Sequence, residues 1–151
     1  MGKIRNILCA IDFSDYSPEI SDYVRELAES LQASVVVVYA AQSLNRYMLF
    51  NVAETAVKDF TETMVAGARD RMDKILEKTF KDVDAKGVVE TGYPAEVILT
   101  AANENNCDLI VMGTHGRSGW DRIVFGSVAE KVVKASNIPV MTVPPKKDDK
   151  E

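Results

Sequence analysis

The sequence predicts an α/β fold built on a doubly wound parallel sheet, and three observations support this class. Strand-like and helix-like segments alternate along the chain, in the order βαβ, long loop, αβαβ, loop, αβ. The strand-like segments are apolar at consecutive positions, as in strands that helices cover on both faces. The helix-like segments repeat apolar residues every three to four positions, which indicates one buried face. Together these features predict right-handed crossovers and helices on both sides of the sheet.

The first part of the chain predicts a strand, a helix and a second strand. Residues 4–11 are mostly apolar and end at Asp12, which indicates a short buried strand. The motif SPE begins at Ser17 and offers a capping residue, a proline at the first helical position and an acid in the first turn. Ser17 is therefore the predicted N-cap. Residues 35–41, VVVVYAA, contain four β-branched residues in a row and indicate a strand buried on both faces.

Residues 42–52 predict an irregular loop, and residues 54–80 predict a long helix. The loop carries four large apolar side chains at residues 47–50, which could pack over the domain or meet a partner. Packing is the expectation, because exposed apolar clusters are uncommon on monomers. Gly67 interrupts the helix, which predicts a kink or a close contact there. The predicted buried face of the helix comprises Val57, Phe60, Met64, Ala68, Met72, Ile75, Leu76 and Phe80.

The second half of the chain predicts three more strands and two more helices. These elements are a strand over residues 83–91, a helix that begins at GYP in residues 92–94, a strand over residues 109–112, a helix over residues 127–135 and a strand over residues 140–143. Two prolines end the last strand, and the charged segment KKDDKE follows. We therefore expect one domain over residues 1–145 and a charged tail over residues 146–151.

Charge and composition exclude several classes of function. A net charge of −5 and a pI near 5.0 argue against a protein that binds nucleic acid through a basic patch. No segment approaches the roughly 18–20 apolar residues of a membrane span. Cys9 and Cys107 lie in or near apolar runs without a CxxC partner, and one histidine is too few for the usual zinc sites. We expect two buried, reduced thiols in a cytoplasmic protein.

Ligands of such folds bind at the carboxyl ends of the parallel strands, where the strand order reverses. Three places in the sequence meet this condition: Asp12 after the first strand, Ala40 and Ala41 after the second, and Gly113 onward after the fourth. Asp12 has an alternative role, because an aspartate after a strand can hold the turn into the following helix.

The segment GTHGRSGWDRIVFGSVAE, residues 113–130, combines glycines with the start of a predicted helix. Gly113, Gly116 and Gly126 have the spacing G-x2-G-x9-G, and Ser127 follows the last of them. Glycines let a backbone approach a ligand closely, and a helix N-terminus attracts anions. The pattern is neither a P-loop nor a GxGxxG fingerprint. Two alternatives remain open: the loop is only a connector, and Ser127 with Glu130 forms a capping box.

This segment, preceded by DLIVM, resembles the nucleotide-binding signature of the universal stress protein family, G-x2-G-x9-G-[S/T]. The resemblance extends over nearly the whole chain through ILCAIDFSDYS, VVVVYAA, GYPAEVILTAANENNCDLIVMGTHG and the closing IPVMTVP. It implies a Rossmann-like, adenine-nucleotide α-hydrolase-like fold with a five-stranded parallel sheet in the order 3-2-1-4-5. Family members with this glycine pattern bind ATP, so the resemblance also implies the ATP-binding subgroup.

The resemblance further implies roles for individual residues. Gly113, Gly116, Gly126 and Ser127 would hold the ribose and phosphates, with the N–H groups of Ser127 and Val128 on phosphate oxygens. Asp12 would lie by the ribose or by Mg²⁺ or Mn²⁺ on the phosphates, and the backbone of Ala40 would meet the adenine. Phe13 is bulkier than is usual in the family and would narrow the pocket. The remaining residues expected at the site are Ala10, Ile11, Phe13, Ser14, Met112, His115 and Arg117.

The leading functional expectation is a nucleotide-dependent regulator of a stress response, which holds ATP or a related ADP or AMP. The resemblance implies a homodimer through the last strand, residues 140–143. Two alternatives remain: a slow ATPase or nucleotidyl-transfer enzyme, and a nucleotide-free module for protein interaction. His115 is expected to line the site rather than to act as a base, because no nucleophile or orienting acid is paired with it. Trp120 is expected to pack the loop down.

Overall fold

The computed structural model of the protein describes residues 3–42, 53–114 and 126–145. These residues form alternating strands and helices, which confirms the predicted α/β class. The elements are β1 (Asn6–Ile11), α1 (Ser17–Leu31), β2 (Ser34–Ala41), α2 (Glu54–Thr79), β3 (Ala85–Thr91), α3 (Pro94–Glu104), β4 (Leu109–Gly113), α4 (Ser127–Ala135) and β5 (Val140–Val143).

All described strand pairs are parallel, and the sheet has the order β3-β2-β1-β4-β5. The five-stranded sheet and its order agree with the prediction. The chain moves outward from β1 to β3 and then returns to the other side of β1 with β4. Order therefore reverses between β1 and β4, and a crevice is expected at their carboxyl ends.

The core consists of two apolar layers, one on each face of the sheet. Alternate residues of β1 point to opposite faces: Ile7 and Cys9 belong to one layer, and Leu8 and Ala10 belong to the other. The first layer packs against α1 and α2, for example through Val24, which is fully buried. The second layer packs against α3 and α4. Burial on both faces explains why the strands are apolar at consecutive positions.

Only the second half of α2 packs firmly on the sheet. Ala68 and Met72 are buried, but Phe60 is 61% exposed, so the prediction that Phe60 belongs to the buried face is wrong. Length explains the difference: the 26 residues of α2 extend about 39 Å, whereas a strand of 8 residues such as β2 extends about 26 Å. The first turns of α2 therefore have less sheet to cover.

The expected close contact at Gly67 is also wrong, because a Cβ atom there would have no atom within 4 Å. The close approach of α2 lies at Gly87 of β3. A Cβ atom at Gly87 would collide with the Met72 side chain and come within 3.3 Å of Leu76 Cδ1. The glycine inside β3 thus lets α2 lie close to this strand.

Two strands begin later than their apolar runs predict. β1 begins at Asn6 because the side chain of Asp108 accepts hydrogen bonds from the N–H groups of Arg5 (2.8 Å) and Asn6 (3.0 Å). β3 begins at Ala85 because the N–H of Val83 donates to the carbonyl of Phe80 (3.1 Å) and closes a turn. Hydrogen bonds at the strand starts, rather than the apolar runs alone, therefore mark these boundaries.

Among the described helices, none combines the length and the apolar character that a bilayer crossing requires. Cys9 and Cys107 are buried and unpaired with each other, which confirms the predicted buried thiols. Burial raises the pKa of Cys9 to about 12 and the pKa of Cys107 to about 11, so both remain protonated at neutral pH.

Candidate functional site

A cleft of about 880 Å³ opens at the carboxyl ends of the strands, beside the point where the strand order reverses. Its floor includes apolar residues of three neighbouring strands, Ala10 of β1, Ala40 of β2 and Met112 of β4. Its volume is within the range of small-molecule sites. The topology rule therefore places the cleft where the sequence predicts a ligand.

The two described ends of the glycine-rich segment lie next to each other in this cleft. The N–H of Gly126 donates to the carbonyl of Thr114 (2.7 Å), and the N–H of Thr114 donates to the carbonyl of Val143 in β5 (3.1 Å). Gly113, Thr114 and Gly126 all line the cleft. Residues between Thr114 and Gly126, including His115, Gly116, Arg117 and Trp120, lie outside the described residues.

The first turn of α4 faces the same cleft. Gly126 is the N-cap, and the first described intrahelical bond runs from the N–H of Glu130 to the carbonyl of Gly126 (2.9 Å). Ser127, Val128 and Ala129 precede that bond and all line the cleft. The N–H groups of a first helical turn have no intrahelical partners. This arrangement can bind an anion, since the positive end of the helix dipole adds to these donors.

The alternative of a capping box at Ser127 is wrong. Ser127 is the first helical residue rather than the N-cap, and no side chain caps α4. Glu130 instead pairs with Lys134 along the helix, with Oε1 and Nζ 2.7 Å apart. The hydrogen bond to Lys134 lowers the pKa of Glu130, and the same bond raises the pKa of Lys134. Ser127 is exposed, and its presence is not explained by capping.

Asp12 holds the turn into α1 and lines the cleft at the same time. Its Oδ1 accepts hydrogen bonds from the N–H of Ser14 (2.9 Å) and the hydroxyl of Ser17 (3.2 Å). The expected turn role is therefore confirmed. The predicted N-cap role of Ser17 is wrong, because Tyr16 is the N-cap and the Ser17 hydroxyl bonds to Asp12. Asp12 also lines the cleft, so the same residue stabilises the turn and forms part of the cleft wall.

Phe13 and Ser14 do not line the cleft, contrary to the expectation for these residues. Phe13 has a φ of 58°, which is unusual for a bulky residue. This conformation directs its ring to Tyr39, at 4.4 Å between ring centroids, and to Arg71 of α2, whose guanidinium carbon lies 4.4 Å from the ring centroid. Phe13 therefore does not narrow the cleft directly. Tyr39, which it supports, is one of the lining residues.

The structure brings most of the described predicted residues together in this one cleft. The predicted site residues that line it are Ala10, Ile11, Asp12, Ala40, Met112, Gly113, Gly126, Ser127 and Val128. Their contact with a ligand remains a prediction.

The corner between β3 and α3 forms one wall of the cleft, which the sequence pattern did not predict. Thr91, Gly92, Tyr93 and Pro94 line the cleft, together with Glu96 of α3. The same topology rule could have found them, because β3 ends at the same edge of the sheet as β1, β2 and β4. Further lining residues that were not predicted are Ile20, Val38, Tyr39, Gln42, Met64, Ile98, Thr114 and Ala129.

Among the described residues, the cleft offers too few side-chain ligands for a metal site of its own. Within residues 3–42, 53–114 and 126–145, no group of three or more His, Cys, Asp or Glu side chains could hold one. Asp12 supplies a single carboxylate to the cleft. Mg²⁺ is commonly bound through one or two carboxylates plus substrate phosphates and water. Asp12 therefore fits a cation carried by a phosphorylated ligand.

Comparisons with known proteins agree with this architecture. The sequence profile of the universal stress protein family matches residues 3–144. Universal stress protein MJ0531 of Methanocaldococcus jannaschii is 32% identical over 149 residues, which cover 97% of this chain and 85% of that protein.

Two solved structures share the fold. The structure of hypothetical protein MJ0577, from the same organism, has a TM-score of 0.81 at 24% identity and covers 97% of this chain and 100% of that chain. A crystal structure of a universal stress protein in complex with cAMP has a TM-score of 0.62 at 21% identity and covers 95% of this chain and 98% of that chain. At these identities the structures show the fold alone. The profile match and the similarity to MJ0531 show that this chain belongs to the universal stress protein family.

Proposed function

We propose that the protein binds ATP, or the related ADP or AMP, in the cleft and acts as a nucleotide-dependent regulator of a stress response. The observation that carries the proposal is the first turn of α4. Its three residues Ser127, Val128 and Ala129 line a cleft at the switch point of a parallel sheet, and the N–H groups of a first helical turn have no intrahelical partners. That combination is the usual phosphate site of nucleotide-binding α/β folds.

The phosphates would lie at α4. The bond from Gly126 to Thr114 keeps the two ends of the glycine-rich segment together, so Gly113 and Gly126 present backbone without side chains to the same space. Side-chain-free backbone allows close approach of phosphate oxygens. The Ser127 hydroxyl would add a donor. Three predicted site residues that lie outside the described residues, His115, Gly116 and Arg117, are proposed to complete this cradle.

The nucleoside would lie over the apolar floor. Ala10, Ala40 and Met112 offer apolar surface for a ring, and the backbone of Ala40 near the end of β2 would meet the adenine. Asp12 would bind the ribose or a Mg²⁺ or Mn²⁺ ion carried by the phosphates. The cAMP complex of a protein with the same fold is consistent with an adenine nucleotide as the class of ligand.

A regulatory role has a structural route in this molecule. Gly126 bonds to Thr114, and Thr114 bonds to Val143 in the edge strand β5. A ligand that orders the backbone at Gly126 would therefore act, through two hydrogen bonds, on the strand proposed to form the dimer interface. A cytoplasmic location is part of the proposal, because both cysteines are unpaired and buried, as is common in reducing compartments.

Isothermal titration calorimetry with ATP and Mg²⁺ tests the proposal. The wild type is expected to release or absorb heat with saturable binding, and Gly126→Val is expected to weaken binding by more than about tenfold. Gly126 has a φ of −57° and a ψ of 147°, which valine adopts readily, so the variant is expected to fold. Its side chain would occupy the space through which phosphates reach the N–H groups.

Gly67→Ala is the matched control, because Gly67 is exposed in the middle of α2 and has no atom near a Cβ position. This variant is expected to bind ATP like the wild type. Equal ATP affinity of Gly126→Val and wild type would show that the phosphates lie elsewhere. No binding of adenine nucleotides by the wild type would reject the proposed function.

A further inference from the structure

Tyr93 is a large aromatic residue that remains exposed at the wall of the cleft. Its exposed fraction is 74%, the largest among the exposed large hydrophobic residues of the described chain, and it lines the same cleft as Asp12 and Ser127. An aromatic ring of this size contributes little to stability while it is mostly in water. The position of Tyr93 therefore favours a role in ligand binding over a role in the core.

The backbone around Tyr93 is fixed, which distinguishes it from a tyrosine on an irregular loop. Gly92 has a φ of 148°, and a Cβ atom there would come within 3.2 Å of Val97 Cγ2. The N–H of Gly92 donates to the carbonyl of Ala41 (3.1 Å), which ties the corner to β2. The carbonyl of Tyr93 accepts the N–H of Val97 (3.0 Å), and Pro94 begins α3. Because the backbone of this corner is fixed, only the side-chain rotamer of Tyr93 has to be ordered there when a ligand binds.

The order of the strands sets the distance between this ring and the anion site. α4 begins beside β4, and Tyr93 follows β3, with β1 and β2 between them. Three intervals between neighbouring strands amount to about 14 Å. A ligand with its anionic end at α4 and an extended shape along the cleft would have its other end near β3.

We propose that Tyr93 binds the base of the nucleotide by stacking, so that the β3–α3 corner forms the base-recognition end of the cleft. This inference rests on the proposed function, since it assumes a nucleotide with its phosphates at α4. The ligand class that fits is a nucleotide with a large flat base, because stacking on an aromatic face favours the ring with the greater area. Thr91 and Glu96 place polar groups at the same end.

Tyr23 provides a matched control in the same chain. It is also an exposed tyrosine, with an exposed fraction of 45%, but it lies on α1 and does not line the cleft. Because both rings are largely in water, neither Tyr93→Ala nor Tyr23→Ala is expected to change the thermal midpoint of the free protein by more than a few degrees.

Calorimetry of four proteins, the wild type, Tyr93→Ala, Tyr93→Phe and Tyr23→Ala, with ATP and separately with inorganic triphosphate, tests the inference. Tyr93→Ala is expected to weaken ATP binding by about tenfold while triphosphate binding changes by less than about twofold. Tyr93→Phe keeps the ring and is expected to restore ATP affinity to within about twofold of wild type. Tyr23→Ala is expected to leave both affinities unchanged.

The outcomes separate this inference from the function it rests on. ATP affinity of Tyr93→Ala equal to that of wild type would overturn the stacking role while leaving ATP binding intact. An equal loss for ATP and triphosphate would overturn it too, because the ring would then shape the cleft without touching the base. A wild type that binds neither ligand would reject both the proposed function and this inference.

Discussion

At the scale of single residues, Asp12 connects the fold to the site. Its Oδ1 accepts hydrogen bonds from the N–H of Ser14 and the hydroxyl of Ser17, and Asp12 also lines the cleft. A carboxylate carries acceptor sites for several partners at once. The turn bonds therefore hold the Asp12 carboxylate in place in a residue that lines the cleft.

Asp12→Asn separates the turn role from the ligand role. Asparagine keeps an oxygen acceptor for the two turn bonds, so the free energy of unfolding is expected to fall by no more than about 1 kcal/mol. Loss of the negative charge is expected to weaken binding of ATP with Mg²⁺ by about tenfold. In EDTA no cation bridges Asp12 and the phosphates. There Asp12→Asn is expected to weaken ATP binding less than it does with Mg²⁺, or to strengthen it. Calorimetry in both buffers checks this, and an equal change in both would exclude a cation at Asp12.

Phe13 shows why contacts of single residues are difficult to predict from sequence. Its place directly after a strand and beside Asp12 suggested a lining residue, and its size suggested a narrower pocket. The left-handed backbone conformation at Phe13 instead brings its ring to Tyr39 and Arg71. Arg71 lies 58 positions further along the chain and has no pattern that marks such a contact.

At the scale of elements, runs of apolar residues predicted which segments form strands and helices, and α4 and β5 have the predicted bounds. Periodicity alone did not show how far each helix covers the sheet, so Phe60 was assigned to the core. The ends of elements depend on hydrogen bonds between distant residues, such as those of Asp108 with Arg5 and Asn6. A capping motif at Ser127 was likewise ambiguous, because Gly126 could take the N-cap position instead.

Two glycines associated with α2 predict opposite effects of the same substitution. Gly67→Ala is expected to raise the free energy of unfolding by about 0.5–1 kcal/mol, because alanine favours a helix and nothing lies near its Cβ. Gly87→Ala is expected to lower it by about 1–3 kcal/mol, because the new methyl would collide with Met72. Urea unfolding of both variants checks the pair. A stabilised Gly87→Ala protein would mean that α2 lies further from β3.

Asp108 connects the start of β4 to the start of β1 through hydrogen bonds, and their contribution to stability is expected to depend on pH. The N–H groups of Arg5 and Asn6 lower its pKa below the usual value of 3.8, so the ionised form stabilises the folded state. This contribution is present above the unfolded pKa and is lost as the pH falls through the lower folded pKa. Urea unfolding from pH 7 to pH 2 is expected to show wild type more stable than Asp108→Ala at neutral pH, with the difference shrinking below pH 4. A difference independent of pH would contradict this role.

At the scale of the whole molecule, the strand order predicted the location of the cleft. Asp12, Ala40 and Gly113 come from three separate strands, yet all line one cleft because parallel strands end at one edge. The contribution of Tyr93 was missed, although the same rule applies to β3. The GYP motif at its corner predicted only a helix start, and the sheet order shows that Tyr93 lies across the cleft from α4.

The proposed dimer would form through the edge strand β5. It pairs only with β4 among the described strands, and an unpaired edge is a template for a second chain. Thr142→Lys is expected to shift the protein from dimer to monomer, because lysine on an edge opposes pairing of strands. Sedimentation velocity of both proteins measures the change. A monomeric wild type, or a Thr142→Lys protein that remains dimeric, would place the interface elsewhere or exclude it.

A crystal structure of the protein grown with ATP and Mg²⁺ tests the central claim most directly. We expect phosphate oxygens within hydrogen-bonding distance of the N–H groups of Ser127 and Val128, and the adenine over Ala40 toward Tyr93. A cleft without nucleotide at saturating ATP, or a nucleotide bound away from the first turn of α4, would contradict the account.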